Sequence, residues 1–274
     1  MIINHNISAM NTSRMLNTNA DAAAKSSEKL SSGYRINRAS DDAAGLAISE
    51  KMRNQIRGLG QAQRNAQDGI SLIQTAEGAL NETHAMLQRM AELATQGANE
   101  TITASDAAKI QAEMDQLSDQ IDSISSQTQF NTKKLLDGTA SAPLKFQVGA
   151  NSGETISLSL VDATASTLGV AKGTLTIDAT NGSAASALDK IQDAINKVSE
   201  SRSNLGAVQN RLEHTINNLG TTQENLQAAE SRIRDVDMAS EMMNFTKNNI
   251  LTQAAQSMLA QANQQPQGVL QLLR

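Results

Sequence analysis

By residue type, the groups in this chain most able to do chemistry are three histidines and one pair of adjacent carboxylates. His5, His84 and His214 stand far apart. None belongs to a His-Glu-x-x-His run, the spacing that brings two imidazoles to one helix face around a metal. His84 and His214 have no ligand-type residue at ligand spacing, so both read as surface or seam-edge side chains. Asp41-Asp42 could work as an acid–base pair or hold a cation. They stand directly before an apolar-periodic run, however, where carboxylates favour the positive end of a helix, and Ser40 or Asp41 is the expected cap. Arg89 and Glu92, three residues apart, make an ordinary helical ion pair. The eleven methionines suit irregular gaps between helices rather than a cofactor site. No catalytic residue, metal or cofactor is expected, and the chain reads as a structural protein, not an enzyme.

Composition says what kind of elements must position these residues. The 274 residues include one Tyr, three Phe and no Trp, whereas aromatic side chains usually supply much of a compact core. Ala, Leu, Ile and Met make up the apolar content, which suits long helices packed side by side. Only Pro143 and Pro266 interrupt the chain with the strongest helix breaker. A net charge of −5 without a dense basic run argues against nucleic acid, whose phosphates need clustered Lys and Arg. No run of 18 or more apolar residues predicts a membrane span. Cysteine is absent, which fits a reducing compartment or a chain exported unfolded, where a stray thiol is a hazard.

Hydrophobic spacing predicts a mainly α fold. Met52, Leu59, Ala66, Ile73, Leu80, Leu87 and Ala94 are seven apart without exception, a heptad seam on one helix over about residues 43–98. At 1.5 Å per residue that helix is about 80 Å long, the length of a rod and not of a compact domain. Gly97-Ala98-Asn99 marks its end. A second helix over 105–127 carries Ile110, Met114, Leu117, Ile121 and Ile124, with Ser105 or Asp106 as the expected cap. A third, over 184–235, carries Ile191, Val198, Leu205, Leu212, Leu219, Leu226 and Ile233 on another strict heptad, while its companion positions are mixed. Matching seams predict that these helices bundle.

Residues 139–182 change character. Phe146 and Val148, then Ile156, Leu158 and Leu160, alternate with polar residues around Asn151-Ser152-Gly153, which predicts a β-hairpin. Leu175 and Ile177 suggest one further short strand. The two ends are amphipathic, weakly charged and too small to fold alone. Ile3, Ile7 and Met10 mark one end, within residues 1–32. Met242, Phe245, Leu251, Leu259, Leu270 and Leu273 mark the other, within 238–273. Such tails are expected to order when they find partners.

Several runs carry a family resemblance. Ile3-Asn4-His5-Asn6, Leu30-Ser31-Ser32-Gly33-Tyr34-Arg35-Ile36-Asn37-Arg38-Ala39, Asp41-Asp42-Ala43-Ala44-Gly45-Leu46-Ala47-Ile48 and Gln67-Asp68-Gly69-Ile70-Ser71-Leu72-Ile73 resemble bacterial flagellin, as do Leu205-Gly206-Ala207-Val208-Gln209-Asn210-Arg211-Leu212 and Ala262-Asn263-Gln264-Gln265-Pro266-Gln267. The likeness covers residues 1 to about 140 and 185 to 274, with too few residues between for outer domains.

The resemblance implies an elongated rod of long antiparallel helices with a small β-hairpin region, plus paired terminal coiled-coil helices. Residues 1–42 with 236–274 would form the core coil and 43–235 the rod. It implies a subunit of the extracellular flagellar filament, exported unfolded without a cleaved signal peptide and joined to copies of itself into an open helical polymer that drives swimming. Implied partners are an export chaperone on the C-terminal tail, the filament cap and the hook-associated junction proteins, with no nucleic acid and no membrane. It also implies recognition by animal Toll-like receptor 5 through Arg89, Leu93 and Glu113, although Ala91 stands where members with this site often carry a second arginine. Three other readings stay open: a hook–filament junction protein, a generic coiled-coil adaptor and a lipid-surface amphipathic helix.

Overall fold

The computed structural model describes residues 6–99, 101–139, 142–177 and 181–272; for 181, 182 and 266–272 it describes the backbone alone. Helices dominate these residues: α1 (Ile7–Ser32), α2 (Ala43–Gly97), α3 (Ala104–Gln127), the short α4 (Ala165–Leu168), α5 (Asn181–Arg234) and α6 (Met238–Leu272). Four short strands complete them: β1 (Gln129–Phe130), β2 (Lys133–Lys134), β3 (Leu144–Gln147) and β4 (Thr155–Leu158). The chain divides into two compact units, residues 1–55 with 224–274 and residues 56–223.

Local chemistry sets the helix starts. Asn6 opens α1 by accepting a hydrogen bond from the Ala9 amide at 3.1 Å. Gly33, at φ 74°, closes it by donating a hydrogen bond from its amide to the Lys29 carbonyl, in a conformation that an L side chain rarely adopts. The helix α2 starts later than Ser40 or Asp41 would set it: Asp42 takes the capping bond, from the Gly45 amide at 2.8 Å. Asp41 instead folds back on the connector, accepting from the Asn37 and Arg38 amides. The cap of α3 is Thr103 rather than Ser105 or Asp106. Its hydroxyl accepts from the Asp106 amide while Asp106 reaches back to the Thr103 amide, a reciprocal capping box.

In the first unit α1 and α6 pack antiparallel. The Asn6 side chain donates to the Ala262 carbonyl at 2.8 Å near one end, and Lys29 stands 4.0 Å from Glu241 near the other. The connectors that follow α1 and α5 pair as well. The Arg35 amide donates to the Arg234 carbonyl at 2.7 Å, and the Val236 amide to the Gly33 carbonyl at 3.0 Å. Arg234 lies 4.9 Å above the Tyr34 ring and ion-pairs Glu50 at 2.6 Å. Ile36, 1% exposed, is the apolar anchor of this turn.

In the second unit the heptad seams meet. Gln223 lies beside Gly60, Leu212 beside Gly69, and Arg202 pairs Glu77 at 3.8 Å, so α2 and α5 run antiparallel. Ile73, Leu80, Leu87, Met90, Ile121, Ile191 and Leu212 form its fully buried centre, joined by Ile110 and Met114 of α3. The hairpin of β3 and β4 pairs Leu144 with Leu158 and Gln147 with Thr155. It lies on α2, where the Asn65 side chain donates to the Gln147 carbonyl and Phe146 covers Gly69.

Two features differ from the sequence reading. A second hairpin, β1 with β2, turns through Asn131 and Thr132 at φ 48° and 66°, the dihedrals of a tight I′ turn. Leu175 and Ile177 are buried but form no strand. Their backbone is met by one side chain instead. The Gln111 amide donates to the Leu175 carbonyl at 2.9 Å and accepts from the Ile177 amide at 2.9 Å, supplying the two bonds a neighbouring strand would have made.

Candidate functional site: the terminal helix pair

The second unit buries its seam, and the first does not. Leu59, Ile73, Leu80, Leu87, Ile191, Val198, Leu205, Leu212 and Leu219 are all buried. Met52, Leu226 and Ile233, which belong to the first unit, are only half-buried. Farther along α1 and α6 the apolar residues open outward. Ile7 is 70% exposed, Met10 69%, Met243 68% and Ile250 60%. Met15, Met238, Met242, Leu251 and Met258 are exposed too. Phe245 and Leu259 are half-buried, and Leu259 lines a groove with Met10, Arg14 and Asn17 of α1. Ile3 and Leu273 lie outside the described residues, as does the Leu270 side chain.

Among the large hydrophobic residues described as exposed, every one except Val161 lies in the first unit. A shallow groove lined by Met10, Arg14, Asn17, Leu259 and Asn263 runs between the two helices. A second patch, on α6, gathers Met242, Met243, Thr246, Lys247 and Ile250. Each such side chain gains about 1.5–3 kcal/mol when fully covered. Contiguous apolar surface of this kind marks an interaction site on a soluble chain.

The charged site on α2 and α3 is formed in part. Arg89 donates to Glu113 through two nitrogens, at 3.1 and 3.0 Å, and to Glu92 at 3.0 Å. Hydrogen bonds to Glu92 first and then to Glu113 raise the Arg89 pKa above its ordinary value. All three side chains are accessible. Leu93, by contrast, is 2% exposed and belongs to the core, because it shares the buried face of α2 with Met90 and Ala94. Spacing alone gave the Arg89–Glu92 pair; Glu113, 24 residues away, has no periodic signal that links it to Arg89.

The histidines and carboxylates stay apart. His84 stands 3.1 Å from the Gln88 side chain, His214 is exposed, and His5 is outside the described residues. No group of three His, Cys, Asp or Glu that could hold a metal stands together among the described residues, and no described helix is long and apolar enough to cross a membrane. Asp41 ion-pairs Lys25 at 2.8 Å. The Lys25 hydrogen bond, followed by those from the Arg38 and Asn37 amides, holds its carboxyl at a pKa of about 2.

Comparison with known proteins matches both helical ends of the chain to one family. Residues 3–141 match the bacterial flagellin N-terminal helical region and residues 188–273 the bacterial flagellin C-terminal helical region. The flagellin of Halalkalibacterium halodurans is 63% identical over 276 residues, covering all of both chains. That of Bacillus subtilis is 57% identical over 304 residues, again covering both completely. A flagellar filament 33 kDa core protein of Treponema phagedenis is 50% identical over 287 residues, with both chains fully covered. The crystal structure of Bacillus cereus flagellin superposes with a TM-score of 0.51 at 37% identity, covering 61% of this chain and 94% of that one. A putative flagellar hook-associated protein from Vibrio parahaemolyticus shares the fold alone, at 16% identity and a TM-score of 0.58 over 71% of this chain and 100% of that one.

Proposed function

We propose that this chain, which belongs to the bacterial flagellin family and is a structural subunit of the flagellar filament, is joined to its neighbours through the open face of its α1–α6 pair. It is not an enzyme. The observation that carries the reading is the uneven distribution of exposed apolar residues: Ile7, Met10, Met242, Met243, Ile250 and Leu251 all lie on the terminal helices. Leu259 lines the groove between the two helices, and Phe245 is half-buried. A subunit joined head to tail by contacts that never close on themselves builds an open helical polymer. Rotation of that polymer drives swimming.

Residues 1–42 with 236–274 form the filament's core coil and 43–235 the rod. The filament is extracellular, and the chain reaches its tip unfolded. An export chaperone covers the tail near residues 258–273, and the cap and the hook-associated junction proteins meet the two ends of the polymer. In the monomer Arg89 and Glu113 offer Toll-like receptor 5 a charged contact, with Leu93 supporting the helix face from beneath.

Deletion of residues 238–274 tests the central step. The truncated chain is expected to stay soluble, helical and monomeric under the electron microscope, at concentrations where the full chain makes long filaments. Long filaments from the truncated chain would contradict the reading. If the full chain alone yields only short caps, the hook-associated alternative gains instead.

A further inference from the structure

We propose that the exposed methionines of α1 and α6 make incorporation into the filament sensitive to peroxide, so that an oxidised subunit stays folded but is refused by the polymer. The proposal rests on the assembly role argued above. Eight of the eleven methionines fall into two classes, while Met52 and Met86 are half-buried and Met1 lies outside the described residues. Met10, Met15, Met238, Met242, Met243 and Met258 are between 49% and 69% exposed, and all lie in the terminal unit. Met90 and Met114, at 0% and 1%, are sealed in the core of the other unit. In the monomer each of these six side chains keeps about half or more of its surface in water. Polymerisation covers the surface on which they stand.

The chemistry is a two-electron oxygen transfer. The methionine sulfur attacks one oxygen of hydrogen peroxide, the O–O bond breaks, a sulfur–oxygen bond forms, and the second oxygen leaves as water. Sulfur is oxidised to the sulfoxide and peroxide is reduced. On a solvent-facing methionine the new oxygen remains hydrated, so the helix pair should be undisturbed. On entry to the filament the same oxygen must leave water for a surface shaped for Met, Ile and Leu, where an unpaired polar group is penalised. Oxidation therefore separates folding from assembly, and methionine sulfoxide reductases would reverse it.

The test uses the full chain treated with hydrogen peroxide as a monomer, then mapped by peptide mass spectrometry and offered to filament seeds. Sulfoxide is expected at the six exposed positions and not at Met90 or Met114, with the helical circular dichroism unchanged. The concentration needed for elongation should rise about tenfold or more. Treatment with methionine sulfoxide reductases should restore it. Preformed filaments should be protected at the same six residues. Untreated chain that fails to elongate would overturn the assembly reading itself. Untreated and oxidised chain elongating alike, or equal oxidation of monomer and filament, would overturn this inference alone. A variant with all six methionines changed to leucine should elongate equally with and without peroxide, and loss of elongation after peroxide would place the damage elsewhere and refute the proposal. If that variant does not elongate at all, reductase rescue of the wild-type chain decides, and failure of rescue counts against the proposal.

Discussion

Asp41 and Gln111 do work that neither residue type announces. Asp41 ties the connector after α1 back to Lys25 and to two backbone amides, which hold its pKa at about 2 against an ordinary 3.8. A lowered carboxylate pKa contributes stability that is complete above the unfolded value and disappears as pH falls through the folded one. The wild-type melting temperature should therefore fall between about pH 4 and pH 2 more steeply than that of Asp41→Asn, and the two should converge below that window; parallel acid profiles would remove Asp41 from this role. Gln111 satisfies two backbone groups of the Leu175–Ile177 segment. Gln111→Leu should destabilise the chain by about 1–3 kcal/mol in denaturant unfolding, since two partly buried backbone groups lose their partners. For the receptor contact, Arg89→Ala should weaken binding of the monomer to Toll-like receptor 5 with no change in melting temperature. Unchanged binding would count against that contact.

Among the elements, the long helices were legible because their signal repeats. Seven consecutive heptad positions on α5 and seven on α2 leave little room for another secondary structure. Short elements carried less signal. The β3–β4 hairpin showed its alternation, but β1 and β2 have two residues each, too few for any period to register. The Leu175 and Ile177 alternation is real and places both side chains inside; what the sequence could not reveal is that a glutamine from α3 would occupy the place of the neighbouring strand. Caps slipped by one to three residues because Ser40, Asp41 and Asp42, or Thr103, Ser105 and Asp106, are all competent, and the choice falls to packing. The same logic grades the seam. Leu212→Ala, at a fully buried position, should cost about 2–5 kcal/mol. Leu226→Ala, at a half-buried one, should cost clearly less in the same unfolding assay, and equal costs would refute the contrast between closed and open seams.

At the scale of the molecule, the candidate surface was legible in outline and not in its facing. Weak charge and apolar spacing marked both ends as sticky. Only the folded structure separates the half-buried Phe245 and Leu259 from the exposed Ile7, Met10, Met243 and Ile250, because a helix with apolar residues on more than one side gives no single face by period. That separation makes the central claim measurable. Electron cryo-microscopy of filaments grown from the purified full-length chain should place Ile7, Met10, Met243, Ile250 and Met258 against other copies of the chain, nearly all of their exposure lost. A filament held together elsewhere, with these five side chains still facing solvent, would contradict it.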